Sequence, residues 1–236
     1  MLGLAIHTTS PQLGLMLQSV EAESAENRQA SNTQAGNTQA GNTQTERRYQ
    51  VWDLGRAVSS QLHTKLMEFI APHSWQDLAF VAVAKGPGGF TGTRIGVVAA
   101  RTLAQQLNIP LFGVSSLAAI AAHSLGKDLT NCAEDIVVTM PAKREAVYGA
   151  IFSADENGDL RSVREEAVIP QMEWEEAIAD WQKHGRAIKQ VKAAAGAGIA
   201  ESVAGVMALA VTRWQSGSRP EWESVLPFYG QHPVHR

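Results

Sequence analysis

The sequence is short of several residue types that would narrow its function. Its 236 residues include a single cysteine, Cys132, so a disulfide within the chain and a cysteine-based zinc site are both excluded. Lysine and arginine number 20 against 23 aspartates and glutamates, and the formal net charge is -3. The chain therefore has no overall field that attracts nucleic acid, and any contact with RNA needs a local basic patch or a partner.

Long apolar runs are also missing. The longest one near the C-terminus, VAGVMALAV (203–211), is too short to span a bilayer. The N-terminal MLGLAIHTTSPQLG has no basic segment ahead of its short apolar run, which disfavours a signal peptide. Together with the lone cysteine, which suits a reducing compartment, these absences predict a cytoplasmic protein without a membrane contact.

Residues 21–46 differ in composition from the rest of the chain. They repeat the pentad NTQAG and contain no aromatic or aliphatic side chain larger than alanine. Such a segment can bury almost nothing, so it is predicted to be a disordered, low-complexity surface loop inserted into the first half. Loops tolerate this kind of expansion at a small cost, which favours a slippage expansion over the alternative that the repeat has a function.

The first half alternates strands and helices. Leu2–Ile6 and Leu13–Leu17 predict a hairpin, and a helix is predicted over 56–70 from apolar residues at helical spacing. Leu78–Ala84 is a continuous apolar run typical of a strand buried on both faces. A helix over 92–107, a strand over Leu111–Val114 and a helix capped by Ser115-Ser116 follow. This alternation is typical of an α/β fold.

The second half of the chain changes character, with two predicted strands followed by two predicted helices. Asp135–Thr139 and Ala146–Phe152 predict strands, with Lys143 and Arg144 at the turn between them. Helices are predicted over Gln171–Lys183 and Gly198–Trp214.

A glycine-rich turn, AKGPGGFTGTRIG (84–96), separates the buried strand from the helix over 92–107. Its spacing matches neither the dinucleotide fingerprint nor a P-loop. Glycines nevertheless let backbone N–H groups converge, and the helix directs its positive end at the turn. Either the turn keeps a residual phosphate-binding role, or its glycines only let strand and helix pack closely. The candidate phosphate-binding residues are Gly88, Gly89, Thr91 and Gly92.

No catalytic constellation is visible in the sequence. The seven histidines form neither HxxxH nor HExxH, and no Gly-x-Ser-x-Gly elbow occurs. Ser115-Ser116 is better explained as a helix cap than as a nucleophile. We therefore expect no catalytic residue, no metal site and no cofactor.

Four stretches of the chain resemble one protein family. The block GPGGFTGTRIGVVAARTLAQQLNIPLFGVSSLAAIA is similar to the GPGSFTGLRIG segment of the TsaB family. LAIHTTSPQLGLML, EAVYGAIF and LPFYGQHPV resemble that family's N-terminal hairpin, its EVY motif and its closing motif. The resemblance covers the chain except for the repeat loop and residues 160–215.

The resemblance implies an actin-like ATPase fold with two ribonuclease-H-like subdomains, each a mixed sheet flanked by helices. The expected subdomains are 1–115 and 116–236. TsaB proteins are catalytically inert relatives of the threonylcarbamoyl transferase TsaD. They pair with TsaD and with the ATPase TsaE to make threonylcarbamoyladenosine, beside the anticodon, in tRNAs that read ANN codons. The resemblance thus implies a non-catalytic scaffold subunit that reaches tRNA only through its complex.

The chain departs from the family pattern at several positions. His7 stands where the family has an aspartate, and histidine is a poor magnesium ligand, which argues against ATP hydrolysis. Gly89 replaces a serine and Thr93 a leucine, while Met140–Lys143 replaces the family's Asp-Ala-Arg. These departures affect nucleotide or metal binding more than a scaffold role. A small ATP-binding, kinase-like enzyme and a metallopeptidase-like hydrolase are the alternative functions.

The resemblance also implies which surface is used. The family associates through the helices that correspond to residues 56–70 and 92–107, either as a homodimer or with TsaD. The alternative is that these helices only pack on each other and on the sheet, since apolar area alone does not mark an interface. The predicted interface residues are Val58, Leu62, Leu66, Phe69, Arg94, Val98, Arg101 and Gln105.

Overall fold

The computed structural model describes residues 1–21, 46–184, 187–194, 198–228 and 230. The predicted repeat loop, 21–46, therefore lies outside the described residues except for its two ends. Two β-sheets, one of five strands and one of four, organise the described chain. Among the described residues, no helix combines the length and the apolar character needed to cross a bilayer.

The first sheet holds the buried centre of the N-terminal half. Its spatial order is β3-β2-β1-β4-β5, with the first two pairs antiparallel and the last two parallel. The central strands β1 and β4 are buried along their whole length, as the continuous apolar run of β4 predicts. The five strands are β1 Leu2–His7, β2 Gln12–Ser19, β3 Arg47–Asp53, β4 Leu78–Ala84 and β5 Leu111–Val114.

Two helices contribute to one of the core clusters of this sheet. Helix α1 spans Val58–Ile70 and helix α2 spans Phe90–Leu107. Their apolar stripes, which include Leu62 and Val97, join the side chains of Leu4 and Ile6 in that cluster. Helix α2 begins two residues earlier than predicted, because Gly89 already has the extended conformation of an N-cap.

The second sheet has the spatial order β8-β7-β6-β9, with β6 and β9 parallel and the other pairs antiparallel. Its strands are β6 Asp135–Pro141, β7 Ala146–Ala154, β8 Leu160–Pro170 and β9 Ile188–Lys192. Strands β3, β8 and β9 were not predicted from the sequence. All three are edge strands whose side chains are mostly half-buried or exposed, so none shows a clear apolar alternation.

Two helices fill the space between the sheets. Helix α3 spans Ser116–Leu125 and helix α5 spans Val203–Gln215. Their core cluster contains residues of both sheets, such as Phe80 of the first and Val138 of the second. Helix α4, Gln171–Lys183, packs in a separate cluster of the second sheet through Trp174. The described residues also form 3₁₀ segments at Gly55–Ala57, Trp75–Asp77, Gly126–Asn131, Ile199–Ser202 and Trp222–Ser224.

The architecture confirms the predicted fold class, an α/β protein with mixed sheets flanked by helices. All strands of the first sheet precede residue 115, and all strands of the second follow it. Helix α5 nevertheless packs against β1, β2 and β4. The division into subdomains 1–115 and 116–236 therefore stays a prediction.

The C-terminal segment returns to the free edge of the first sheet. The amide of Leu111 donates to the carbonyl of Pro220 at 3.2 Å, and the amide of Phe228 donates to the carbonyl of Lys85 at 2.7 Å. The side chain of Val225 is buried where Gly113 leaves room for it. Residues 218–228 thus cover β5 and reach the end of β4.

Candidate functional site

A cleft of about 900 Å³ opens between the two halves of the chain. The first half contributes the β1–β2 turn (Thr9–Pro11), the glycine turn (Gly88–Gly92) and the start of α1. The second half contributes Met140–Lys143 and Tyr148. All four candidate phosphate-binding residues, Gly88, Gly89, Thr91 and Gly92, line this cleft. It has the size of a small-molecule site, and its walls come from both halves.

Close packing explains two of the glycines. A Cβ atom at Gly88 would collide with the backbone carbonyl of Thr9, and one at Gly92 with the carbonyl of Thr8. By contrast, a Cβ at Gly89 would lie 3.5 Å from the nearest atom, an ordinary contact. Gly88 and Gly92 are thus required for the first turn of α2 to approach the β1–β2 turn.

The close contact between the glycine turn and the β1–β2 turn occupies part of the backbone that an anion would contact. The amide of Gly89 donates to the carbonyl of Thr9 at 2.6 Å. The hydroxyl of Thr8 donates to the carbonyl of Gly92 at 2.8 Å, which ties the two turns together a second time. Oxygen atoms of the chain itself therefore face the positive end of α2, where a phosphate would be bound. The phosphate-binding role of the turn stays a prediction.

His7 lies beneath the cleft and is not part of its lining. Its side chain is fully buried, and burial lowers its pKa to about 3, so the ring is neutral at neutral pH. Nε2 lies 3.4 Å from the hydroxyl of Thr9, which also accepts a hydrogen bond from Ser116 at 3.1 Å. Within the described residues Nδ1 has no hydrogen-bond partner. A neutral, enclosed imidazole here contributes neither a charge nor a metal ligand to the cleft.

The rest of the lining is mostly apolar with a basic rim. Phe90, Ile95 and Met140 provide apolar surface, while Arg56 and Lys143 supply the cations. Burial raises the pKa of Tyr148, so its phenol stays protonated at neutral pH. The described lining contains no carboxylate, imidazole or thiol, and the part of the chain that is described shows no cluster of three metal-ligating side chains. The arrangement can bind an apolar or anionic group but has no evident base.

Four of the predicted interface residues lie in the core. Val58, Leu62, Leu66 and Phe69 are at most 7% exposed. Leu62, Leu66 and Phe69 pack in the core cluster of the first sheet, whereas Val58 is part of the cleft lining. The role of these four residues in pairing stays a prediction. The large apolar side chain exposed on α1 is Met67, at 68%. It was not predicted as an interface residue, because it lies outside the regular apolar stripe.

The predicted residues of α2 divide into two groups. Val98 is 60% exposed, Gln105 is exposed, and the exposed Arg94 stacks on the ring of Phe90 at 4.3 Å. Arg101 instead contacts the chain's own C-terminal segment. Its guanidinium lies 5.2 Å from the ring of Trp222, and Nη1 donates to the carbonyl of Val225 at 3.4 Å. The sequence gives no signal for this contact, because the partners are more than 120 positions away.

Several curated relatives of this chain carry the same name. The tRNA threonylcarbamoyladenosine biosynthesis protein TsaB of Bacillus subtilis is 38% identical over 105 residues, 44% of this chain and 43% of the relative. The protein of that name in Escherichia coli is 36% identical over 96 residues, 41% of this chain and 40% of the relative. The chain thus spans less than half the length of the curated relatives it matches.

Solved structures match the whole fold. A Pseudomonas aeruginosa protein described as similar to the peptidase YEAZ superposes with a TM-score of 0.66 at 24% identity, covering 98% of this chain and 99% of that chain. YeaZ from Pseudomonas aeruginosa superposes with a TM-score of 0.63 at 23% identity, covering 97% and 99%. At these identities the likeness shows a shared fold.

A family model spans more than half of the chain. The model for TsaD, tRNA N6-adenosine threonylcarbamoyltransferase, matches residues 61–207, from α1 to the middle of α5. The matched region includes the glycine turn and most of the cleft. Together with the TsaB relatives, this match confirms the resemblance drawn from the motifs. The chain belongs to the TsaD family, and the two curated relatives described above carry the name TsaB.

Proposed function

We propose that this chain is a non-catalytic partner subunit in the synthesis of threonylcarbamoyladenosine in tRNA. It pairs with a TsaD-like transferase subunit and acts together with a TsaE-like ATPase. The names of the curated relatives support the biosynthetic role. The tRNA is reached through the complex, in keeping with a net charge of -3.

The glycine turn carries the argument for a non-catalytic role. In this chain the carbonyl of Thr9 accepts the amide of Gly89, and the neutral side chain of His7 is enclosed below the turn. Phosphoryl transfer depends on a metal ion and on donors aimed at the phosphates. The described cleft lining supplies cations at its rim but no carboxylate for magnesium. The cleft therefore supports a structural use of an ATPase fold better than turnover.

The surface proposed for pairing lies on the outer side of α1 and α2. Met67 and Val98 are the large apolar side chains exposed on these helices, and Phe90 is exposed at the start of α2. Arg94 and Gln105 add polar groups on α2. An apolar centre with polar neighbours is the usual composition of a protein interface. A homodimer through the same surface is the alternative use.

A reconstituted reaction tests the proposal. Purified TsaD-like and TsaE-like subunits, threonylcarbamoyl-adenylate synthase, tRNA and substrates are combined with or without this chain, and modified nucleoside is measured by mass spectrometry. We expect product only when the chain is present. Equal product in its absence would overturn the proposed function.

Calorimetric titration with ATP and magnesium separates the proposal from a kinase-like enzyme. A kinase-like enzyme would bind ATP with micromolar affinity and turn it over without another protein. Our proposal expects no turnover by the isolated chain, because the described lining of the cleft contains no carboxylate to hold magnesium or to act as a base. Elemental analysis of the purified protein tests the metallopeptidase reading in the same way.

A further inference from the structure

A contact between Ser115 and Glu166 joins the two halves of the chain beside the cleft. Ser115 directly follows β5 of the first sheet and caps α3, because its hydroxyl accepts the amides of Leu117 at 3.1 Å and Ala118 at 3.4 Å. The same hydroxyl donates to Oε2 of Glu166, on edge strand β8 of the second sheet. One polar side chain thus fixes a helix start and holds the opposite sheet.

An irregularity in β8 brings the carboxylate to this position. Gly149 pairs with Ala167 and Ile151 with Arg164, so Glu165 and Glu166 both lie opposite the single residue between them on β7. This two-to-one pairing is a β-bulge, which changes the direction of side chains on the bulged strand. Glu165 is exposed, whereas Glu166 is half-buried and reaches Ser115.

The surroundings make this carboxylate costly to ionise. Burial raises the pKa of Glu166, and the negative charge of Glu165 acts in the same direction. The hydrogen bond from Ser115 and the positive charge of Lys85 oppose the rise in pKa only partly. A buried charge that is incompletely compensated does not increase stability. The presence of Glu166 at the junction is better explained by the position in which its hydrogen bond with Ser115 holds the two sheets.

Lys85, whose positive charge acts on Glu166, lies between the C-terminal segment and the glycine turn. Its carbonyl accepts the amide of Phe228 at 2.7 Å, and the glycine turn follows directly after it. On the other side, Tyr148 of β7 lines the cleft and pairs with Val168, two residues from Glu166. Short stretches of chain therefore connect the junction to both walls of the cleft.

We propose that the hydrogen bond between Ser115 and Glu166 is a latch that holds the second sheet against the first and so sets the width of the cleft. Release of the latch lets the β6–β7 hairpin, which carries the cleft wall at Met140–Lys143, move away from the glycine turn.

Hydrogen exchange of the full chain tests the latch. Glu166→Ala removes the contact, and exchange of the amides in 139–148 is expected to become about tenfold faster, since local opening is then less costly. Glu165→Ala removes the neighbouring charge of the same bulge, and Glu166→Gln keeps an oxygen that accepts from Ser115. Both should exchange like the parent chain. Equal exchange in Glu166→Ala and Glu165→Ala would overturn the latch.

A second pair of variants decides the question if Glu166→Ala does not fold. Ser115→Asp keeps a good helix cap but places a negative charge against Glu166. Faster exchange in 139–148 and a larger radius of gyration by X-ray scattering are expected. The double variant Ser115→Asp/Glu166→Gln removes the repulsion and should restore both values. Absence of any difference between the single and the double variant would overturn the proposal.

Discussion

At the scale of single residues, the glycine block is explained by the space around each position. Gly92 lies in the first turn of α2, directly against the carbonyl of Thr8, whereas a Cβ at Gly89 would make only an ordinary contact. Two glycines of one short motif therefore have different roles. The first lets two backbone segments touch, and the second supplies an amide that Thr9 accepts.

Substitution of these two glycines by alanine gives a matched comparison. Gly92→Ala should lower the free energy of unfolding by ~1–3 kcal/mol, because the new methyl group overpacks the contact with Thr8. Gly89→Ala should change it by less than about 1 kcal/mol, since its Cβ finds an ordinary contact. Urea denaturation measures both values. Equal stability of the two variants would contradict the packing role of Gly92.

The ionisation of Glu166 gives a second prediction at this scale. Its pKa is raised above the ordinary value of 4.5, mainly by burial, so the folded chain binds the proton more tightly than the unfolded chain does. The stability contributed by the protonated group is complete below that ordinary value and is lost as the pH rises through the raised pKa. Glu166→Gln cannot ionise and should be more stable than the parent chain at pH 7.

The pH dependence provides the control for that measurement. Thermal unfolding of Glu166→Gln and the parent chain should converge as the pH falls below the ordinary glutamate range, where both side chains are neutral. Glu165→Gln changes the same charge on the exposed side of the bulge and should have little effect. A gain for Glu166→Gln that is the same at every pH would contradict the assignment to this carboxyl.

At the scale of elements, α1 and α2 each have a buried and an exposed stripe. Leu62 and Leu66 fill the core over the first sheet, while Met67 on the same helix is mostly exposed. On α2, Val97 is buried and its neighbour Val98 is exposed. Substitution of the buried stripe tests folding, and only the exposed stripe tests pairing.

Exposed apolar side chains on α1 and α2 provide the test of pairing. Met67→Glu and Val98→Glu should each weaken binding to the TsaD-like subunit by about tenfold or more, because a charge enters a desolvated contact. Met172→Glu, at a 75% exposed position on α4, is the matched control and should bind normally. Sedimentation velocity of the mixtures measures the complex, and each variant's unfolding curve confirms that it is folded. Normal binding by both Met67→Glu and Val98→Glu would exclude this surface.

The elements also show how far the sequence predicts the fold. Strand β4, strand β5 and helix α4 have their predicted bounds, because a continuous apolar run or a helical stripe marks each of them. Strands β3, β8 and β9 were not predicted, because their side chains are mostly half-buried or exposed and lack such patterns. The burial of Leu62 and Leu66 could not be separated from exposure at an interface, since both uses need the same spacing.

At the scale of the whole molecule, the cleft depends on contacts between distant parts of the chain. The glycine turn was recognised as a candidate from its sequence, and it does line the cleft. Tyr148 and Met140 come from the opposite half, and the hydrogen bond from Ser115 to Glu166 joins that half to the first. Local sequence carries no signal for either approach. The enclosure of His7 likewise depends on packing around it rather than on its neighbours in sequence.

The proposed role of the whole molecule makes a claim about stoichiometry. A partner subunit acts by occupying a surface of the transferase, so its effect should saturate when that surface is filled. An enzyme that processes a small molecule turns over many times and is needed only in small amounts. The amount of this chain required for product formation therefore distinguishes the two kinds of protein.

Titration of the chain into the reconstituted reaction tests this most directly. The TsaD-like subunit is held at a fixed concentration well above the affinity of the pair, and modified tRNA is quantified as the chain is added. For a partner subunit, the initial rate should rise in proportion to the amount of this chain and level off near one equivalent. A full rate at a small fraction of an equivalent, or a rate that does not depend on the chain, would contradict it.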